Sequence, residues 1–174
     1  MKKKVAVAMS GGVDSSLTAA LLIEQGYDVI GVTMTLSDES REAGGSTAVS
    51  DAKKVADALN IPHYVVNYHK KFKDDVIKYF ISEYAKGRTP NPCVRCNNTV
   101  KFGSLLKDCL ELGADCVATG HYARIEQDEK TGRYLLKKGL DVRKDQSYVL
   151  YTLTQDVLKH FMLPLGNYSK EKTR

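Results

Sequence analysis

Long hydrophobic runs are absent from this 174-residue sequence. No stretch approaches the roughly 20 apolar residues that a membrane-spanning helix needs. The basic residues 2–4 are followed by only five apolar residues before Ser10, too few for the core of a signal peptide. We therefore expect a cytoplasmic protein without membrane association. Cysteine is scarce, with four residues, and in a reducing compartment these serve as thiols, ligands or catalysts more often than as disulfides.

Basic charge is lacking in the first third of the chain and in excess afterwards. Residues 1–60 carry 6 Lys/Arg against 8 Asp/Glu, residues 61–120 carry 9 against 6, and residues 121–174 carry 11 against 7. This excess suits a polyanion such as nucleic acid, although an ordinary, mildly basic domain explains it equally well. The length and the 43% hydrophobic content predict one compact domain with a single core.

Short apolar runs alternate with helical patterns along the chain. Strands are predicted at residues 4–9, 28–34, 63–67 and 116–119, and helices at 14–25, 48–59, 72–84 and 100–112. This order predicts an α/β fold of Rossmann type, with a mainly parallel open sheet and helices on both faces. A small β-hairpin is expected at 122–127 and 133–138, a loop at 37–47, and mainly helix beyond Lys144. Ligands of such sheets bind beyond the carboxyl ends of the strands.

The turn after the first predicted strand is rich in glycine and hydroxyl side chains. It reads Ser10, Gly11, Gly12, Val13, Asp14, Ser15. Glycine lets an anion approach the main chain, and a helix that begins here presents unpaired N–H groups and a positive dipole end. The turn therefore predicts a phosphate cradle, although a capped helix start explains the same residues. Because the Asp14 carboxylate would repel phosphate, we expect Mg²⁺ between them.

These six residues resemble the pyrophosphate-binding signature of the N-type ATP pyrophosphatase (PP-loop) superfamily. Its members have an adenine nucleotide alpha-hydrolase-like fold, adenylate a substrate carbonyl and release pyrophosphate. The sequence departs from the two common nucleotide motifs, since it has neither a third glycine in G-x-G-x-x-G register nor the lysine of G-K-[ST]. The resemblance leaves open which substrate is activated.

A second unusual segment, GRTPNPCVRCN, occupies residues 87–97. Its prolines disfavour helix, so we expect the following helix, at 100–112, to start just after this segment. A thiol near a helix N-terminus and flanked by Arg88, Arg95 and Lys101 is predicted to have a lowered pKa, which favours Cys96 as a nucleophile. Cys109 and Cys116 fall within a predicted helix and a predicted strand and are expected to be inert core thiols.

Residues 87–97, together with TGHYAR at 119–124 and KDQSY at 144–148, resemble the tRNA-specific 2-thiouridylase family. Those enzymes replace the C2 oxygen of a wobble uridine with sulfur. The resemblance implies ATP contacts at Ala8, Met9, Ser10, Gly11, Gly12, Val13, Asp14, Ser15, Met34 and Gly120. It implies tRNA contacts at Asn91, Pro92, Cys93, Lys144, Asp145 and Gln146, and it implies catalytic roles for Cys96 and Asp14.

Cys93 and Cys96 form a C-x-x-C pair where many family members have aspartate at the first position. A structural zinc is not expected, because no second ligand pair follows. The pair could instead hold part of an iron–sulfur cluster or form a reversible disulfide. The cofactors expected are ATP and Mg²⁺, with the cluster left open.

Full-length members of this family are about twice as long as this chain. The resemblance therefore implies that residues 1–174 are the adenylation domain, without the family's central and C-terminal β-barrel domains and without its persulfide-carrying cysteine. The implied partners are a tRNA with a wobble uridine and a persulfide donor, either a cysteine desulfurase or a relay protein. Two alternatives stay open: adenylation of another tRNA base or a small molecule, and an ATP- and tRNA-binding module without complete sulfur transfer.

Overall fold

The structure, a computed structural model, describes residues 2–37 and 48–174. Its main sheet has five parallel strands in the order β3-β2-β1-β4-β7. They are β1 (Lys4–Ala8), β2 (Asp28–Thr35), β3 (His63–Asn67), β4 (Cys116–Ala118) and β7 (Phe161–Met162). A separate antiparallel pair, β5 (Ala123–Gln127) and β6 (Tyr134–Lys138), is the expected hairpin. All but residue 37 of the loop predicted at 37–47 lies outside the described residues.

Helices connect these strands and cover both faces of the sheet. They are α1 (Val13–Glu24), α2 (Ala48–Ala58), α3 (His69–Phe72), α4 (Lys78–Ala85), α5 (Pro92–Cys96), α6 (Leu106–Glu111) and α7 (Gln155–Leu158). Two π-helical stretches, Lys73–Ile77 and Asn97–Leu105, join α3 to α4 and α5 to α6. The predicted α/β fold with a mainly parallel sheet, helices on both faces and a small hairpin is confirmed.

The alternation of side chains along β1 divides the core into two layers. Val5 and Val7 pack with Leu22 of α1 and Ala56 of α2 on one face. Ala6 points to the other face, where the core includes Val100, Phe102 and Leu105 from the segment between α5 and α6. Because β1 is buried on both faces, it reads as a continuous apolar run, as is usual in parallel sheets.

Two secondary-structure predictions are wrong. The segment after Lys144 is not mainly helical: it holds the 3₁₀ turns Ser147–Val149 and Pro164–Asn167, the single turn α7 and the edge strand β7. A two-residue strand is too short to leave an alternating pattern. The helix expected to start after residues 87–97 begins at Pro92, because proline is well tolerated in the first helical turn.

The strand order reverses next to β1. Chain progression leads from β1 through β2 to β3 on one side, whereas β4 and β7 lie on the other. The carboxyl ends of β1 and β4 therefore border the switch point, where open α/β sheets form their ligand crevice. No helix in the described parts of the chain is long and apolar enough to cross a membrane.

Candidate active site

Gly11 allows the turn after β1 to pass close to helix α2. Its φ of +76° lies in the left-handed region, which side chains rarely adopt. A Cβ atom there would stand 2.4 Å from the Cβ of Asp51 and 2.8 Å from the Ala52 nitrogen. Gly12 differs, because its backbone is extended at φ −81° and ψ 161° and an added Cβ would meet Ser10 Oγ at 3.6 Å, an ordinary contact. Of the two glycines, Gly11 therefore has the backbone conformation that other residues avoid, and Gly12 does not.

Helix α1 begins directly after this turn, with Gly12 as its N-cap and no side-chain capping hydrogen bond. The first amides of a helix have no partner within it, so the main chain from Val13 to Ser15 presents donors at the positive dipole end. Ser15 Oγ accepts a bond from the Ser10 amide at 3.2 Å and donates to the Gly12 carbonyl at 3.0 Å. Ser15 thus shapes the turn, while the backbone supplies the anion-binding groups.

A cavity of about 250 Å³ opens beside this turn. We call it the nucleotide cavity, because residues predicted to contact ATP line it. Its walls are Ala8, Met9, Ser10, Asp14, Ser15, Met34, Lys101, Thr119, Gly120, His121 and Gln146. Seven of the predicted ATP contacts line it, from β1, β2, α1 and the loop after β4. Gly11, Gly12 and Val13 complete the turn behind this wall. A larger cavity of about 1050 Å³ lies elsewhere, against residues such as Lys4 and Asp28 at the amino ends of the strands, the end opposite to the usual ligand crevice.

Gly120 holds the loop after β4 against the start of α1. A Cβ atom on Gly120 would come within 3.0 Å of Asp14 Cβ and 3.1 Å of its carbonyl carbon. This close approach places the loop after β4 directly against the first turn of α1, next to the switch point. The close approach requires a residue without a side chain at position 120, and ATP contact at Gly120 stays a prediction.

The Asp14 carboxylate is already compensated by a cation. Lys170 Nζ lies 2.5 Å from Oδ1 and 2.7 Å from Oδ2, and the Tyr122 hydroxyl donates to Oδ1 at 2.8 Å. The Lys170–Asp14 hydrogen bond raises the pKa of Lys170. The sequence predicted no role for Lys170, and its separation of 156 residues from Asp14 explains why. A neutralised Asp14 gives phosphate a way to approach that does not require Mg²⁺.

The residues around Asp14 do not fit a protein-held magnesium site. Asp14 is the single carboxylate among the described residues of the nucleotide cavity, and its oxygens are engaged by Lys170 and Tyr122. No group of three acidic, histidine or cysteine side chains suited to a metal occurs in the described parts of the chain. Mg²⁺ at Asp14 therefore stays a prediction, and no step below depends on it.

A second cavity of about 400 Å³, which we call the thiol cavity, lies beside α5. Its walls are Phe72, Val76, Pro92, Cys93, Cys96, Asn97, Lys101, His121, Gln146, Tyr148 and Val149. Asn91 is the N-cap of α5, and its Oδ1 accepts bonds from the amides of Cys93 and Val94 at 2.9 and 3.3 Å. Of the predicted tRNA contacts in this segment, Pro92 and Cys93 line the cavity, and Asn91 caps the helix that carries them.

The predicted lowering of the Cys96 pKa is wrong. Cys96 is the fifth residue of α5 and is 9% exposed, and its burial raises the pKa of the thiol, with Lys101 acting in the opposite direction. Arg88 pairs with Glu83 at 2.9 Å. Arg95 donates to the Asp75 carbonyl and stacks over Tyr79. These arginines therefore do not assist the thiol as expected.

The cysteines do not fit an iron–sulfur cluster within the described residues. Cys93 is exposed and Cys96 buried in α5, whereas Cys109 and Cys116 are buried in the two core layers, as predicted for inert thiols. Burial raises the pKa of Cys109 to about 12. No third cysteine joins the pair, and clusters use three or four such ligands.

The three residues predicted as a further tRNA contact have different surroundings. Lys144 lines an outer cavity together with Lys170 and Arg174. Asp145 accepts bonds from the Gly139 and Ser147 amides at 2.9 and 3.3 Å and from Ser147 Oγ at 2.8 Å, and its pKa is lowered by these bonds despite burial. Gln146 lines both the nucleotide and thiol cavities. Asp145 thus holds residues 144–146 in place, while Lys144 lines the outer cavity and Gln146 lines the nucleotide and thiol cavities.

Three residues form the shared wall of the nucleotide and thiol cavities: Lys101, His121 and Gln146. His121 Nδ1 lies 2.7 Å from Thr119 Oγ1. Burial, with a further contribution from Lys101, lowers the pKa of His121 to about 3, so the ring is neutral near pH 7. Gln146 Oε1 accepts a bond from the Tyr122 amide at 3.0 Å. The two cavities therefore adjoin, with one positive charge at their boundary.

A glycine-bearing turn after β1, a close loop after β4 and a cavity between them define an α/β protein of Rossmann type with a crevice at the switch point of its sheet. The chain matches the family described as "tRNA methyl transferase HUP domain" over residues 3–174, and it belongs to that family. A "tRNA-specific 2-thiouridylase MnmA 1" of Caldanaerobacter subterraneus is 58% identical over 182 residues, covering 100% of this chain and 50% of the relative. A "tRNA-specific 2-thiouridylase MnmA" of Clostridioides difficile is 54% identical over 180 residues, with the same coverage.

Solved structures share the fold at low sequence identity. A 4-thiouridine synthetase in complex with RNA and ATP superposes with a TM-score of 0.61 at 20% identity, covering 98% of this chain and 39% of that chain. A predicted subunit of tRNA methyltransferase from Methanocaldococcus jannaschii gives 0.58 at 19% identity, covering 98% and 72%. The family resemblance read from the sequence is confirmed, and the chain spans about half the length of the curated relatives it matches.

Proposed function

We propose that this chain is the adenylation domain of a tRNA 2-thiouridylase, which activates the C2 carbonyl of a wobble uridine with ATP for sulfur insertion. One observation carries the proposal: the cavity beside the glycine-bearing turn and the cavity that contains Cys96 share a wall. Such a reaction needs a nucleotide, a base and a thiol to meet at one point. The relatives named as 2-thiouridylases support the choice of substrate.

The nucleotide half of the reaction uses the turn after β1. The main-chain amides of Val13, Asp14 and Ser15 would hold the phosphates, and Met34 and Ala8 would border the nucleoside. Lys170 keeps Asp14 neutralised, so the carboxylate does not repel the phosphate chain. The uridine O2 then attacks the α-phosphate, and pyrophosphate leaves.

The thiol cavity is the place for the uracil ring. An enzyme that modifies a base must bring it out of its stack, and this cavity has apolar walls in Phe72, Val76 and Pro92. Sulfur would arrive as a persulfide on a downstream cysteine and displace AMP. Cys96, which faces the same cavity, either assists this release or attacks first.

A further cavity beside α5 suits single-stranded RNA. It measures about 240 Å³ and is walled by Tyr79, Asn91, Val94, Arg95, Asn98, Tyr151 and Thr152. Tyr151 is 70% exposed, and the Arg95 guanidinium lies 4.9 Å from the Tyr79 ring centroid. Aromatic faces and arginine stack on unpaired bases without sequence preference. We therefore place a neighbour of the flipped base here.

The proposed domain assignment covers residues 1–174, and the central and β-barrel domains of the family lie outside this chain. Sulfur insertion would use the family's persulfide-carrying cysteine and a persulfide donor, either a cysteine desulfurase or a relay protein. The basic excess after residue 60 supports a tRNA partner.

Pyrophosphate release tests this function. The protein is mixed with ATP, Mg²⁺ and a transcribed tRNA with uridine at the wobble position, and then with the same tRNA with cytidine there. Uridine tRNA should stimulate release at least tenfold and cytidine tRNA should not. Asp14→Asn should weaken release, whereas Asp156→Asn, which changes an exposed carboxylate on α7, should not.

Two results would favour the alternatives. Stimulation by a different tRNA base or by a small molecule, with none by the uridine tRNA, would make this a PP-loop enzyme of another specificity. Binding of ATP and tRNA without any pyrophosphate release would make it a binding module.

A further inference from the structure

Lys101 lies where the two cavities meet. It lines both, and among the described residues of their walls it is the single lysine or arginine. It belongs to the π-helical stretch Asn97–Leu105, between α5 and α6. Wide π turns of this kind occur frequently at functional sites. The position of Lys101 therefore differs from that of a lysine on a solvated helix face.

The ammonium group of Lys101 has no protein partner among the described residues. Three other cations of the chain have partners: Arg88 pairs with Glu83, Arg95 donates to the Asp75 carbonyl, and Lys170 pairs with Asp14. Lys101 is half-buried, and it borders both cavities, so its ammonium group is accessible to a ligand bound there. An anionic ligand at this point would supply the missing partner.

The charge of Lys101 acts on groups in both cavities. It lowers the pKa of Cys96 against the larger effect of burial, and it lowers that of His121. Because His121 is neutral near pH 7, Lys101 is the positive side chain at this boundary. The same ammonium group therefore borders both the cavity expected to hold ATP and the cavity that contains the thiol.

We propose that Lys101 is a catalytic cation that serves both steps in turn, first at the α-phosphate during adenylation and then at the Cys96 thiolate. This inference rests on the proposed function. In the first step the bond between uridine O2 and the α-phosphorus forms and the bond from phosphorus to the pyrophosphate oxygen breaks, with its electron pair leaving on pyrophosphate. The uracil N3 proton passes to solvent. Lys101 balances the negative charge on the α-phosphate oxygens throughout and transfers no proton.

In the second step the same ammonium group balances a different negative charge. Cys96 loses its proton to solvent, and the thiolate lies in the cavity that Lys101 borders. Once pyrophosphate has left, the phosphate charge in the nucleotide cavity has fallen and the cation is free to act on sulfur while AMP is still bound to the base. One lysine thereby couples the departure of pyrophosphate from one cavity to the reactivity of the thiol in the other.

The test compares Lys101→Met, Lys101→Gln and Lys101→Arg with the matched control Lys107→Met. Lys107 is exposed on the neighbouring helix α6 and lies 3.8 Å from Glu111. Thermal melts verify that each variant is folded. Site-resolved mass spectrometry follows alkylation of Cys96 by iodoacetamide from pH 6.5 to 10, which requires neither ATP nor tRNA, and calorimetry measures ATP affinity.

Losing the charge should slow alkylation of Cys96 at pH 8 by about threefold or more, because less thiolate is present. The ATP Kd should rise about tenfold, as expected for loss of one charged contact. Pyrophosphate release at saturating ATP should fall about 100-fold, the usual effect of removing one donor at a developing charge. Lys101→Arg should retain part of each property, and Lys107→Met should change none.

The proposal is overturned if alkylation and ATP affinity of folded Lys101→Met and Lys101→Gln stay within twofold of Lys107→Met. A change in only one of these two readouts also overturns it, because one cation would then not serve both cavities. If both change while wild-type protein shows no tRNA-stimulated pyrophosphate release, the shared cation stands and the proposed tRNA function fails.

Discussion

Replacing Gly11 by alanine tests whether the turn after β1 is built around that single glycine. The added Cβ would lie 2.4 Å from Asp51 Cβ and 2.8 Å from the Ala52 nitrogen, and the latter is main chain that cannot rotate away. Its φ of +76° adds strain. We estimate about 1–2 kcal/mol for the left-handed backbone and about 1–3 kcal/mol for forcing atoms into a packed interior. Together these predict a loss of roughly 2–5 kcal/mol in the free energy of unfolding.

Gly12→Ala is the matched control, one residue further along. At φ −81° alanine fits the backbone, and its Cβ would meet Ser10 Oγ at an ordinary 3.6 Å. Gly-to-Ala changes at such positions often stabilise by about 0.4–1 kcal/mol. Urea denaturation gives the free energies, and calorimetry gives the ATP affinity. Gly11→Ala should lose both stability and ATP binding, whereas Gly12→Ala should keep its stability. Equal stabilities of the two variants would refute this account of the turn.

Three further predictions concern the groups around the cavities. Lys170→Met should weaken ATP binding several-fold and lower the free energy of unfolding by about 1 kcal/mol, because Asp14 loses its cation. The pKa of Lys170 is raised above its ordinary value of 10.5 by its bond to Asp14, so the wild type gradually loses this ion pair as the pH rises above 10.5, and the difference in stability between the two proteins should shrink. An equal difference at pH 8 and pH 12 would contradict this. Burial lowers the pKa of His121 to about 3, so its ring binds a proton more readily in the unfolded protein, and the free energy of unfolding of the wild type should fall by about 2 kcal/mol between pH 6.5 and 5. His121→Gln should flatten this dependence of the unfolding free energy on pH, measured by urea titration. An unchanged dependence would refute the burial argument. Tyr151→Ala should weaken binding of an anticodon stem–loop RNA about tenfold and leave ATP affinity unchanged. Tyr64→Ala is the control, because Tyr64 is exposed on β3. Equal RNA affinities of the two variants would argue against base stacking in the cavity that contains Tyr79 and Tyr151.

The alternation of apolar runs and helical patterns was sufficient to predict the α/β class, which the structure confirms. The six residues from Ser10 to Ser15 indicated a phosphate-binding turn, and phosphate binding there stays a prediction. Both signals are local. A strand buried on two faces must be apolar throughout, and a turn that approaches an anion closely needs glycine and free amides. The cysteine segment likewise indicated the second half of the site without any knowledge of its packing.

Only the tertiary structure decided which charges act on those groups. The sequence neighbours Arg88 and Arg95 turn to Glu83 and Tyr79, while Lys170, 156 residues from Asp14, reaches its carboxylate. Burial of Cys96 reverses the pKa shift that its neighbours suggested. Charge effects depend on distance through space and on solvent exposure, and sequence separation determines neither. The fold places Lys101 between the two cavities, a position that no local pattern could have predicted.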